Sequence, residues 1–272
     1  MSVQTTIISS RTPDGLYLSG TLVLPEGADQ AAVLVHGGGV TREEGGFFAR
    51  VATGLAETGT TSLRFDLRGH GESEGRQEDL TIAGILADIR AGTAFVRSQI
   101  GLNRVALLGT SFSGGICGYY AAQHPAELAS LVMLNPLLNY RKRFIDEKPY
   151  WHNGLISEEA GRELLNHGYL AHSSTFKLGR SLLNELFYLQ PHTVLGDIKA
   201  PTLLVHGTKD TFIPVASSRW AVQQITAEHR LIEVEGAQHG FAVHDDPNYA
   251  NPQSQLWQAE VIRAVTEWIN CH

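Results

Sequence analysis

Short, continuous apolar runs alternate with helix-spaced runs along most of this 272-residue chain, and that rhythm restricts the fold more than any other feature. AAVLVHG, TSLRFDLRG, RVALLG and LASLVMLNP are the apolar runs of the first half. Each is too short for a helix and reads as a strand; AAVLVHG and LASLVMLNP, near-continuous in apolar residues, read as strands buried on both faces. Between them, residues 47–58 (FFARVATGLAET), LTIAGILADIRAGTAFVRSQ and GGICGYYAAQHP carry helical spacing or small helix-compatible residues. Strand and helix in alternation specify an α/β protein: a mostly parallel sheet with helices on both faces.

Two further strands open the chain. TTIISS and LYLSGTLVLP flank the turn Pro13-Asp14-Gly15, a hairpin signal. The rhythm stops after Pro136. Residues 137–190 contain no β-like run, only charged loop material and two helical segments. SEEAGRELLNHG has Ser157 as its cap and Glu158 and Glu159 in the first turn. FKLGRSLLNELFYL repeats Leu178, Leu182, Leu183, Leu186 and Phe187 at intervals of three and four. Regular order returns with PTLLVHG, a helix near 216–226, RLIEVEG and the terminal QLWQAEVIRAVTEWI. The expected organisation is a core of residues 1–136 and 191–272, with 137–190 as a helical cap laid over it.

Composition removes several function classes. Lys and Arg total 21 against 28 Asp and Glu, a formal charge of -7, with no basic stripe for nucleic acid. No stretch reaches the ~20 apolar residues of a membrane span, and the first residues lack a secretory pattern. The two cysteines, Cys117 and Cys271, form neither a disulfide framework nor a zinc-binding spacing. A cytoplasmic protein is expected.

The chemistry concentrates at VALLGTSFSGG, residues 105–115. Ser111 stands between a buried strand and a helix of small residues, the context of a nucleophile elbow. A lone Gly-x-Ser pattern recurs by chance, and Ser113 is a rival in the same segment. Strand length and the Gly109-Thr110-Ser111 start favour Ser111. Two other frames follow in order: PTLLVHGTKDTFIP, holding Asp210, and VEGAQHGF, holding His239. Before them lies the run His36-Gly37-Gly38-Gly39, which lacks the Lys-Ser/Thr ending of a Walker motif. Asp66, in RFDLRGHG, is a rival carboxylate but precedes the serine.

These segments together resemble the α/β-hydrolase superfamily over essentially the whole chain. The resemblance implies the α/β-hydrolase fold, with Ser111 as nucleophile, His239 as base and Asp210 as the acid that orients it. It implies an oxyanion hole from the backbone N–H of Phe112 and of Gly38, with Gly37 and Gly39 as alternatives. Ser113 stands where the usual Gly-x-Ser-x-Gly elbow has its second glycine. No metal or organic cofactor is implied. The capped carboxylesterases, including the feruloyl and cinnamoyl type, and the acyl thioesterases are similar.

The expected activity is cleavage of small acyl or aromatic esters through an acyl-enzyme. Thioester cleavage, with acyl-CoA or an acyl-carrier protein as partner, stays open. So do aminopeptidase and carbon–carbon hydrolysis, which share the triad. A non-catalytic binding protein would ordinarily have lost a triad member. For the substrate pocket, Leu182, Leu186, Phe187, Tyr150 and Trp151 are the expected lining; the alternative is that they pack the cap. The cap's Arg141, Lys142, Arg143, Lys148 and Lys177 read first as solvated surface, and second as a greeting for a carboxylated or phosphopantetheine-bearing substrate.

Overall fold

In the computed structural model, which describes residues 2–246 and 248–272, eight strands form one sheet. They are β1 (Val3–Arg11), β2 (Tyr17–Pro25), β3 (Gln30–Val35), β4 (Thr60–Phe65), β5 (Val105–Thr110), β6 (Leu128–Leu134), β7 (Thr202–Gly207) and β8 (His229–Val234). Their order is β1-β2-β4-β3-β5-β6-β7-β8. The β1–β2 and β2–β4 pairs are antiparallel; the remaining pairs are parallel.

The buried strands divide their side chains between two cores with the period of two that a pleated strand imposes. In β3, Ala32 and Leu34 join one cluster, while Ala31, Val33 and Val35 join the other. In β5, Ala106 and Leu108 face the first, and Val105 and Leu107 the second. Helices α1 (Phe47–Glu57) and α7 (Pro252–Cys271) cover the first face. Helices α2 (Ile82–Ile100) and α3 (Ser111–Gln123) cover the other. Thr81 caps α2 by accepting from the Gly84 N–H. Among the described residues no helix is long and apolar enough to cross a membrane.

The segment between β6 and β7 departs from its sequence reading. It contains two small antiparallel hairpins, Trp151–His152 with Leu155–Ile156 and Tyr169–Ala171 with Lys177–Gly179. Helix α4 (Glu158–His167) forms as expected, with the Ser157 hydroxyl accepting from Ala160 N–H. The second expected helix shortens to α5 (Arg180–Glu185). Its first turn is lost because Gly179 lies against the backbone of Glu78: a Cβ there would stand 1.7 Å from the Glu78 carbonyl oxygen. The backbone at Lys177–Gly179 stays extended and pairs with Tyr169–Ala171 instead. Helix α6 (Ala216–Val222) follows β7.

The apolar residues of this segment do not form a core of their own. Leu138, Phe144, Leu164, Phe176, Leu178 and Leu182 merge with the cluster beneath α2 and α3.

Candidate active site

Parallel strands β5, β7 and β8 all end at the same edge of the sheet, and the loops leaving them carry the three candidate catalytic side chains. Ser111 follows β5 directly and opens α3 with φ +50°. That left-handed conformation is strained for a residue with a Cβ. It lifts the side chain off the strand axis and leaves the first N–H groups of α3 without helical acceptors. The helix must then pass very close to the chain beyond β6: a Cβ on Gly115 would stand 2.3 Å from the Leu137 carbonyl. The Tyr140 hydroxyl, fully buried, donates to the Phe112 carbonyl and fixes the turn from the cap side.

Ser111 Oγ lies 2.9 Å from His239 Nε2, and His239 Nδ1 lies 2.7 Å from Asp210 Oδ2. With Nδ1–H donating to the carboxylate, Nε2 accepts from the serine hydroxyl. The other Asp210 oxygen accepts from the N–H groups of Phe212 and Ile213 at 2.8 and 2.9 Å. His206, fully buried at the end of β7, receives the Ser218 hydroxyl on Nδ1 (2.7 Å). Its Nε2–H points to the Ile213 carbonyl at 2.8 Å, with Asp210 3.5 Å away. Burial alone would raise the Asp210 carboxyl. The contacts from His206 and His239 outweigh it and hold that carboxyl well below the usual range. Asp210 therefore remains an anion opposite His239.

Ser113, the rival serine, is fully buried and donates to the His36 carbonyl at 2.5 Å. Its hydroxyl joins the elbow to the glycine loop, so the serine that departs from the usual motif ties two loops together. Asp66 is likewise occupied: it accepts from Arg42, both backbone and guanidinium, and from the Glu72 N–H. His36 donates through Nδ1 to the Gly37 carbonyl at 2.7 Å and accepts the Leu67 N–H at 2.9 Å. Burial, then the neighbouring His70, push its pKa down to about 3, so it is a neutral brace for the loop.

The three glycines are distinguished by their N–H groups. Gly37 donates to Glu44 Oε1 at 2.5 Å and Gly39 to His70 Nε2 at 3.2 Å. Gly38 has no acceptor among the described residues, and neither it nor Phe112 is diverted to a side chain. A Cβ on Gly38 would stand 2.8 Å from the Phe176 ring, so only glycine fits between that ring and the loop.

Ser111, Phe112, His239, Gly37 and Gly38 border a cavity of about 380 Å3. Its apolar wall is built from Phe112, Leu137, Phe144 and Phe176, and its polar wall includes Glu44, Arg143, Lys148 and His172. Phe112 meets Phe176 and Phe144 edge-on, with ring centroids 4.9 and 6.0 Å apart. Glu44 has φ +46°. Its burial pushes its pKa up to about 7, against the opposing pull of the Gly37 N–H and His239.

The expected pocket lining is corrected here. Leu182 and Leu186 are fully buried in the core cluster. Trp151 and Phe187 pack edge-on against each other, centroids 5.5 Å apart, and Tyr150 is half-buried against the same cluster. None of the five borders the cavity. The shortened α5 buries its leucines in the core cluster beside the Gln77–Asp79 turn, and the hairpin before it delivers Phe176 to the cavity instead. Glu44, Phe144, Phe176 and Tyr249 went unrecognised as lining. Phe176 stood in the sequence as one apolar residue among many, and nothing local marks Glu44.

Residues 31–169 match the alpha/beta hydrolase fold family, and residues 185–272 match the dienelactone hydrolase family. A monoacylglycerol lipase of Mycolicibacterium smegmatis is 26% identical over 267 residues, covering 88% of each chain. A pimeloyl-[acyl-carrier protein] methyl ester esterase of Chromobacterium violaceum is 27% identical over 82% of this chain and 91% of that one. The structure of Est1E from Butyrivibrio proteoclasticus with ferulic acid bound superposes with a TM-score of 0.77 at 22% identity, covering 96% of this chain and 99% of that one. Sheet order, elbow and these matches agree: the chain belongs to the α/β-hydrolase fold family.

Proposed function

We propose that this protein is a serine hydrolase that cleaves carboxylic esters of small acyl or aromatic acids. The observation that carries the reading is the continuous hydrogen-bonded chain from Ser111 Oγ through His239 to Asp210, opening into an aromatic-walled cavity. Two relatives whose names describe ester cleavage, the monoacylglycerol lipase and the methyl ester esterase, support it.

Ser111 Oγ attacks the ester carbonyl carbon as its proton passes to His239 Nε2. Asp210, held anionic, stabilises the imidazolium that forms. The tetrahedral oxyanion accepts from the N–H groups of Phe112 and Gly38, each worth ~3 kcal/mol in the transition state. The intermediate collapses, the carbon–oxygen bond to the alcohol breaks, and His239 delivers the proton to the departing oxygen. Water then attacks the acyl-serine with His239 as base, releasing the acid and restoring Ser111.

The discriminating experiment is a panel of p-nitrophenyl esters, feruloyl esters and acyl-CoA or acyl-carrier thioesters, compared by kcat/KM. The proposal expects oxygen esters to lead and Ser111→Ala to lose all of them. A clear preference for acyl-carrier thioesters would replace the ester reading with a thioesterase.

A further inference from the structure

The turn entering the cap, Lys142–Asp146, is a π-helix. Its i→i+5 hydrogen bonding sets residue i beside residue i+5, and the charges follow that register. Arg141 reaches Asp146 at 3.5 Å and Lys142 reaches Glu147 at 3.8 Å; these four side chains point outward and are exposed. The third register holds Arg143 and Lys148, two cations where its neighbours hold a cation and an acid. Both are part-buried and border the cavity that contains Ser111. Neither has a carboxylate partner among the described residues.

Like charges facing one cavity repel unless something between them is negative. Burial and the nearby Arg143 already lower the Lys148 pKa, outweighing a pull from Glu147, whose carboxylate is paired with Lys142. His172, on the same wall, is held down to about 4 by burial, then by Lys148 and Arg143, and so stays neutral. Its Nδ1 is buried without a hydrogen-bond partner among the described residues. The one carboxyl bordering this cavity, among the described residues, is Glu44. It lies elsewhere on the cavity wall, bonded to Gly37 and close to His239. The cations are set off from the oxyanion donors by one aromatic layer: Phe144 lies 6.0 Å from Phe112 and 5.0 Å from His172.

We infer that the ester substrate carries a second, ionised carboxylate, held by Arg143 and Lys148 beyond the Phe144–Phe176 wall. This rests on the ester-hydrolase reading and narrows it. A guanidinium fork matches a carboxylate in two parallel hydrogen bonds, and the lysine adds a point charge. The apolar wall accommodates the chain or ring that joins that carboxylate to the scissile ester.

Monoethyl adipate and ethyl hexanoate differ mainly in a terminal carboxylate and test this directly. Wild type should favour monoethyl adipate by about tenfold or more in kcat/KM, the scale of a charge-assisted hydrogen bond. Arg143→Gln and Lys148→Gln should each shrink that ratio through KM, and the exposed, outward-paired Arg141→Gln should leave it in place. Rising salt should raise the wild-type KM for the charged ester and spare the neutral one, a readout that needs no variant to fold. Equal turnover of both esters, or a preference that survives Arg143→Gln and Lys148→Gln, overturns the inference. Ser111-dependent hydrolysis of ethyl hexanoate would keep the ester-hydrolase reading standing in either case; no Ser111-dependent turnover of either ester would sink both.

Discussion

Three backbone N–H groups of one glycine loop face three fates, and the one left over is the donor the proposed chemistry would use. Gly37 and Gly39 are spent on Glu44 and His70, leaving Gly38 as the N–H available to the proposed oxyanion. Gly38→Ala would force a Cβ to 2.8 Å from the Phe176 ring. Its expected cost is a fall of about 10- to 100-fold in kcat with the fold retained, because the loop must move away from the reacting oxygen. Adding Phe176→Ala should recover part of the loss; an unchanged kcat in Gly38→Ala would remove Gly38 from the oxyanion hole. Glu44 sets a pH dependence of stability. The unfolded chain ionises it near the ordinary 4.5, while burial keeps the folded group protonated up to about 7. The unfolded state therefore binds fewer protons in that window, and this group's contribution to stability is lost as pH rises through it. Glu44→Gln retains an acceptor for the Gly37 N–H. It should raise Tm relative to wild type near pH 8 by a few degrees, and by much less near pH 4.5. Equal shifts at both pH values would contradict the buried-acid account.

At the scale of the element, the cap separates into residues that hold it down and residues that shape the cavity. Leu182 belongs to the first group: it is fully buried beneath α5. Leu182→Ala should lower the unfolding free energy by ~2–5 kcal/mol, read by denaturant titration, without changing the ranking of esters by acyl size. Phe176 belongs to the second. Phe176→Ala should move the optimum toward longer or bulkier acyl groups, several-fold in kcat/KM, since each added buried methylene is worth ~0.8 kcal/mol. The reverse outcome, selectivity following Leu182 and not Phe176, would restore the lining expected from sequence. That expectation failed for a physical reason. Apolar spacing of three and four identifies a buried helical face but does not say what it is buried against, and α5 is buried in the core cluster beside the Gln77–Asp79 turn and its own hairpin. The Gly179–Glu78 approach that cuts α5 short joins residues distant in sequence, so no local signal announces it.

For the whole molecule, the sheet was legible because strands such as β3, β5 and β6 are buried on both faces and are written as largely apolar runs. Ala32 and Leu34 on one side, with Ala31, Val33 and Val35 on the other, leave no polar position in β3 after its first residue, Gln30. The edge strands β1 and β8 are more exposed and were read from the turn at Pro13-Asp14-Gly15 and from the resumed rhythm after residue 190. The positions of Ser111, Asp210 and His239 were legible for the same topological reason: each follows a strand that ends at one edge of the sheet. The cavity was not legible, since Glu44, Phe144, Phe176 and Tyr249 come from four separate segments and meet only in three dimensions. The central claim, that Ser111 is an activated nucleophile, is met most directly by a fluorophosphonate probe followed by peptide mapping. The account predicts a single adduct on Ser111, absent in Ser111→Ala, retained in Ser113→Ala and strongly slowed in His239→Ala. An adduct that persisted in Ser111→Ala would contradict it.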